Sequence, residues 1–485
     1  MSKEKSIRQN IFMSMLLTGS DMIFPIITYS YVARVITPTG TGKIAFVNSI
    51  LNYFLYIAML GIPTYGLREC AKVRDNKEKF SHLVQELLMI NLISTLIAYI
   101  FLIGAILFIQ KLYSYKEIFL VMSCYLFLST IGLEWVYRSL EEYTYITLRS
   151  LVLKVLAVIL TFVFIRDKKD YIWYGALSIF SVSAGYIFNF VNIHKYVSFK
   201  KVGKYDLKKH LKPITILFST SIILTIYANF DVTMIGFIST EEEVGLYSAA
   251  LKIKNILLSV STAITSVLIP RIAYYIQKKD EKTVEELWLN SLRLSMLLAL
   301  PVAIYVFLYA ENVLCFVCGS TYVEATNTLR ILMICIIPLI FTNLFGNQML
   351  ILLGNEQRFS QSVFVGMWIN LFLNFLMIPS LGALGAAVGT LITECWNVYW
   401  MGGSVKKYKK NLMGKLNLRK YVIPLILSTV CSILVSRFVY RMNIILQLTI
   451  TALIFFGIYF TIELLLKEPL INEQVKKIVN KYLKK

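Results

Sequence analysis

The chain has 485 residues, of which 57% are hydrophobic and only 16% charged, and its mean hydropathy is +0.66. A water-soluble protein has too little interior to hide that much apolar side chain, so the composition excludes an ordinary soluble domain and implies a polytopic helical membrane protein. The formal charge of +21 would suit a nucleic-acid binder. However, the Lys and Arg residues gather in alternate loops between apolar segments, which is how a membrane protein sets its orientation.

A spanning helix needs about 20 mostly apolar residues. On that rule spans are expected near 11–33, 44–67, 83–109, 117–137, 146–165, 171–193, 213–238, 245–269, 287–310, 327–352, 359–379, 383–402, 421–440 and 443–466, fourteen in all. No small-residue cleavage pattern follows the opening M-S-K-E-K-S-I-R-Q-N, so the first segment is expected to remain. With the N-terminus placed in the cytoplasm, inside segments carry about four times as many Lys and Arg as outside loops, and both termini are expected there. No outside loop is long enough to hold a folded domain.

The heaviest basic loop, at 194–212, follows the sixth span, and a second, at 406–420, follows the twelfth. They divide the chain into a six-helix lobe at 1–200, a second at 201–405, and 406–485 with two additional helices and a basic cytoplasmic tail. Sliding the sequence by 203 positions supports the division. It brings Thr37 onto Thr240, Gly42 onto Gly245, Asn52 onto Asn255 and Arg68 onto Arg271, the trace of a duplicated membrane unit. Six spans per unit keep both copies the same way up, with their symmetry axis along the membrane normal.

Ionisable groups inside spans cost several kcal/mol unless they meet a partner or a wet cavity, so each is a functional candidate. Asp21 lies mid-span four residues before Pro25; Asp231, Lys154, Lys252, Lys254 and Glu394 occupy later spans. Asn48, Asn52 and Tyr56 form a polar stripe on the second span, repeated in part by Asn255 and Ser259 on the eighth. Polar stripes in both halves imply a water-accessible cleft. Against this stand plain readings: Asp21 can pair with a lysine only to hold helices together, and Lys254 can snorkel. Arg68 and Arg271 end their spans on the cytoplasmic side, where arginine is common, but their matched positions would offer two guanidinium forks suited to phosphate. Arg34 offers another at the opposite end. Pro25, Pro63, Pro301 and Pro338 allow kinks. Gly385 and Gly389 make a close-packing face.

Cys315 and Cys318 have a spacing open to a disulfide, although packing is favoured. The three histidines (His82, His194, His210) lie in or beside cytoplasmic loops, so no membrane metal site is expected; no phosphate-binding loop motif occurs, and no cofactor is expected. Transport rather than catalysis remains.

R-V-I-T-P-T-G-T-G-K at 34–43, L-G-I-P-T-Y-G-L-R-E at 60–69, G-L-E-W-V-Y-R-S-L-E-E-Y at 132–143 and G-A-L-G-A-A at 382–387 resemble the polysaccharide-transporter, or O-antigen and capsule repeat-unit flippase, family. That family shares a superfamily with multidrug extruders and lipid II flippases. The resemblance implies two six-helix lobes in a V with two extra helices and a cationic inner cavity. It also implies a polyprenyl-pyrophosphate-linked oligosaccharide carried from the cytoplasmic to the outer leaflet of a bacterial cytoplasmic membrane, with a polymerase and chain-length machinery as possible partners. On the matching motifs Arg34, Arg68 and Glu69 carry over as motif positions, and Glu134 stands where relatives carry an acid before Trp135. Arg34, Arg68, Arg271, Lys154, Lys252, Asn52 and Asn255 are therefore the substrate-binding candidates, with Asp21, Asp231, Glu394 and Glu134 as cavity or coupling-ion acids. A drug or cation exporter of the same fold is the alternative, and a membrane-embedded polymerase a third, disfavoured by the short outer loops.

Overall fold

A computed structural model describes residues 7–200 and 203–466; the expected basic tail beyond 466 lies outside the described residues. Among these the chain is helical, with no strand. Eleven helical stretches are long and apolar enough to cross a membrane. One of them, Gln9–Val73, counts 65 residues and would measure on the order of 100 Å if straight, about three times the hydrocarbon thickness. Internal breaks explain the excess. Helix α1 (Ile7–Met59) is interrupted at Thr37, with φ 61° and ψ 175°, a region essentially reserved for glycine. It ends where Leu60 and Gly61 both turn to positive φ, and α2 (Ile62–Val73) follows. Pro63 therefore does not kink a helix. It sits in the first turn of α2, where a missing N–H costs nothing.

Next come α3 (Lys77–Phe108), α4 (Lys116–Ile131), the short α5 (Glu134–Ser139), α6 (Tyr143–Phe164) and α7 (Tyr171–Asn192). The expected span at 117–137 is thus divided, because Leu133 adopts φ 44° between α4 and α5. Helices α8 (Lys208–Ile238) and α9 (Glu241–Gln277) follow. The chain forms two compact units that divide at Gly245. In the first, α1 packs against α3, α4, α6 and α8.

The second unit contains α10 (Glu281–Leu308), α11 (Ala310–Val317), α12 (Thr326–Ile334), α13 (Ile336–Thr342), a π-helix at Asn343–Leu350, and α14 (Glu356–Ser404). Helix α14 breaks at Gly382, φ 54°. Beyond the break Gly385 lies against the Met377 backbone and Gly389 against the Asn374 side chain, so the small residues serve close approach. Helix α15 (Lys406–Lys415) precedes α16 (Arg419–Val439) and α17 (Ile444–Leu465). These last two pack on each other and on α10, where Tyr305 donates to the Leu448 carbonyl at 2.7 Å. Tyr309 and Ser432 share a hydrogen bond of 2.7 Å. Neither Cys315 nor Cys318 is in a disulfide.

Candidate functional site

The first unit gathers several of the expected charges. Lys154 on α6 is buried, and its Nζ lies 2.6 Å from Asp21 Oδ1 and 2.6 Å from Ser20 Oγ on α1. Its side chain is 7% exposed while that of Asp21 is 62% exposed, so the ammonium depends on this pair far more than the carboxylate does.

A second cluster grows from the segment G-L-E-W-V-Y-R-S. The positive φ at Leu133 starts α5 so that Glu134 falls in its first turn. There Arg138, one turn on, donates to Glu134 Oε1 at 2.6 Å. Arg149 of α6, largely buried, approaches the other carboxylate oxygen at 3.9 Å. Arg149 also donates to the Gly185 carbonyl at 2.8 Å and to Asn189 Oδ1 on α7. Tyr137 donates to the Asn189 carbonyl at 2.6 Å. Gly132 lies under the Tyr186 ring, Gly185 against the Arg149 guanidinium, and Gly66 against the Trp135 ring. The two motif segments Y-G-L-R-E and G-L-E-W thus touch each other. Tyr125 on α4 lies within electrostatic range of both Glu134 and Asp21.

The polar stripe on the second half of α1 meets α8. Asn52 donates to Asn229 Oδ1 at 3.0 Å, Tyr53 shares a 2.9 Å hydrogen bond with Thr233, and Thr233 donates to Ser49 at 3.0 Å. Asp231 is half-buried and within electrostatic range of Tyr53. Arg34 is exposed close to the Thr37 break. Arg68 is exposed at the far end of that helix pair, pairing with Glu69 at 3.1 Å and lying over the Tyr65 ring.

Other candidates stand in the second unit. Glu394 is buried on α14, with the Thr342 hydroxyl donating to it at 3.2 Å; on the same helix Ser362 donates to Asn397 Oδ1 at 3.0 Å. Lys254 is buried rather than snorkelling, Lys252 is half-buried, and Asn255 and Arg271 are exposed. An apolar groove of about 640 Å³ runs between α10–α11 and α17, lined by Tyr305, Phe316, Leu448, Leu453, Phe456 and Phe460.

Sequence reasoning missed two features. Arg149 was hidden among the basic residues at span ends. The other is Glu86, whose side chain is wholly buried. Its Oε2 meets Lys209 at 2.8 Å, His210 at 3.0 Å and His82 at 3.4 Å, and Oε1 accepts the Asp206 N–H at 2.7 Å. The i, i+4 spacing of His82 and Glu86 on α3 was the available signal. With no group of three or more acid, Cys or His ligands suited to a metal among the described residues, this hub reads as a structural clasp.

The fold and these interior charges define a multi-pass membrane transporter. Over 95% of this chain and all of the other, it superposes on a lipid II flippase, MurJ in an inward closed conformation, with TM-score 0.71 and 15% identity. An inward-facing multidrug resistance MATE transporter superposes over 80% of this chain and 95% of its own, with TM-score 0.65 and 14% identity. The chain belongs to the polysaccharide biosynthesis protein family, whose model matches residues 7–276, and a MatE model matches 217–376. A protein of Escherichia coli (strain K12) assigned as an O-antigen transporter is 24% identical over 392 residues, which is 80% of this chain and 94% of that one. A Haloferax volcanii protein assigned as the low-salt glycan biosynthesis flippase Agl15 is 28% identical over 171 residues, 35% of this chain and 36% of that one. The fold is that of the multidrug/oligosaccharidyl-lipid/polysaccharide superfamily, and the family is one of transporters, not catalysts.

Proposed function

We propose that this protein moves a polyprenyl-pyrophosphate-linked oligosaccharide repeat unit from the cytoplasmic to the outer leaflet of a bacterial cytoplasmic membrane. The repeat unit would belong to an O-antigen, a capsule or a related surface polysaccharide. In this reading the chain crosses fourteen times, Thr37 and Gly382 each separating two crossings. Both termini face the cytoplasm, the lobes follow the repeat as 1–200 and 201–405, and polymerase and chain-length proteins receive the product.

The observation that carries the reading is the pair of charge clusters, Asp21–Lys154–Ser20 and Glu134–Arg138–Arg149, inside a membrane-embedded unit. Charges carried on spanning segments are retained for a polar cargo or a coupling ion. Arg68, Arg271, Arg34 and Lys252 would meet the pyrophosphate or acidic sugars, Asn52 and Asn255 sugar hydroxyls, and Asp231 or Glu394 a coupling cation. The apolar groove beside α17 would accommodate the lipid chain that a drug exporter has no need to hold. A cation exporter would also be better served by unanswered acids, whereas here Asp21 and Glu134 each face a base.

The test is accumulation of lipid-linked glycan in cells lacking the protein, complemented with Arg68→Ala, Arg149→Ala or Lys154→Ala. Loss of surface glycan with build-up of the lipid-linked precursor supports the reading. Normal surface glycan in the deletion strain refutes it.

A further inference from the structure

Close to the Thr37 break, and a full helix away from Arg68, lies a small cavity of about 190 Å³ lined by Lys43, Ser114, Tyr115, Glu117, Tyr171 and Glu241. It lies where α4, α7 and α9 begin and where α1 resumes after Thr37. Its polar groups are fixed from several sides. Lys43 Nζ stands 4.7 Å from the centre of the Tyr171 ring. Buried Tyr115 donates its hydroxyl to Glu241 Oε1.

The lining restricts what can enter. Two carboxylates, Glu117 and Glu241, repel an anion; Lys43 offsets one of them, which weakens their pull on a cation, and among the described residues no set of three ligands is present to hold a metal ion. An apolar molecule would cover Lys43 and Glu117 without giving either a hydrogen bond. A neutral molecule bearing several hydroxyls meets none of these objections. Its hydroxyls can donate to the carboxylates and to Ser114 Oγ, whose own hydrogen goes to the Gln110 carbonyl at 3.2 Å, and accept from Lys43 Nζ. The volume is below the roughly 300 Å³ at which pockets for drug-sized ligands begin, which limits the occupant to one ring.

We propose that this cavity is a subsite for one neutral sugar ring of the transported glycan, at the end of the pathway opposite Arg68. The proposal rests on the flippase reading above and assigns it a second, sugar-recognising station. Saturation-transfer NMR on the protein in nanodiscs tests it. The probes are the glycan released by mild acid from the host's own lipid-linked pool and the methyl glycosides of its neutral component sugars. At least one probe is expected to give a signal that Glu117→Gln reduces fivefold or more. Ser114→Leu, which fills the cavity without touching its charges, should do the same in protein of unchanged melting temperature. No signal from any probe, or full signal in both variants, overturns the subsite. The deletion strain separates the two claims. If it loses surface glycan while the NMR is blank, only the subsite falls; if surface glycan persists, the flippase reading and the subsite fall together.

Discussion

Gly42 and Gly245 meet backbone to backbone, and the contact is reciprocal. A Cβ on Gly42 would land on the Glu241 carbonyl, 2.9 Å from the Gly245 nitrogen, and one on Gly245 would land on the Pro38 carbonyl. The 203-residue offset maps Pro38 onto Glu241 and Gly42 onto Gly245, so the residue that one glycine touches aligns with the residue that the other touches. Backbone cannot rotate away from an added methyl as a side chain can. Gly42→Ala and Gly245→Ala should each force this contact open and reduce glycan delivery at least tenfold in normally expressed protein. Thiol labelling of a Thr39→Cys variant should rise in parallel. Wild-type delivery by both variants would remove any role for the contact.

The exposure of Asp21 and burial of Lys154 make their pair asymmetric. Asp21→Asn leaves a buried ammonium with neutral acceptors and no countercharge, whereas Lys154→Met leaves a carboxylate that is largely open to solvent. The first is expected to destabilise the protein by about 1–2 kcal/mol, after discounting for the exposed partner, and the second by less. The double variant should be milder than Asp21→Asn alone. Thermal unfolding in detergent reads all three, and equal losses in the two single variants would contradict the asymmetry.

Glu86 holds the segment before α8 onto α3, with Ser81 accepting the Ser198 N–H at 3.0 Å and Tyr205 donating to Gln85 at 2.8 Å. Its replacement by Ala strands buried His210 and the Asp206 N–H and should cost about 3 kcal/mol. The loss should appear as local opening, read by faster tryptic cleavage between residues 196 and 208. Cleavage at the wild-type rate would show that the clasp carries no strength.

Arg149 spreads its donors over Gly185, Asn189 and Glu134. A lysine has one ammonium and no planar fork. Arg149→Lys should therefore lower delivery as severely as Arg149→Ala, by tenfold or more, while charge is kept. Rescue by lysine would mean that only the charge matters.

Thr37 occupies backbone angles that favour glycine. Thr37→Gly should stabilise the fold by about 1–3 kcal/mol if that strain serves no purpose. A raised melting temperature with lost delivery would place the strain in the transport cycle.

Much of this was legible in the sequence because lipid enforces one rule, the long apolar helix, and because the 203-residue offset picked out Gly42 and Gly245. A lysine partner for Asp21 could be anticipated but not its identity as Lys154, since spacing within one helix does not say which other helix answers it. Breaks at Leu60 and Leu133 were invisible, because leucine announces helix and only tertiary packing holds it at positive φ. The Glu86 hub escaped for the opposite reason: its histidines lie 128 positions apart in the chain, in segments that read as ordinary basic loops.

The ring of Trp135 resting on Gly66 gives the protein a built-in optical reporter. Indole emission shifts in colour and yield with its surroundings, so sliding of α2 past α5 would register without any dye. In a variant whose other five tryptophans are replaced, stopped-flow fluorescence could time the movement of the Arg68 segment directly, turn by turn, as cargo is supplied.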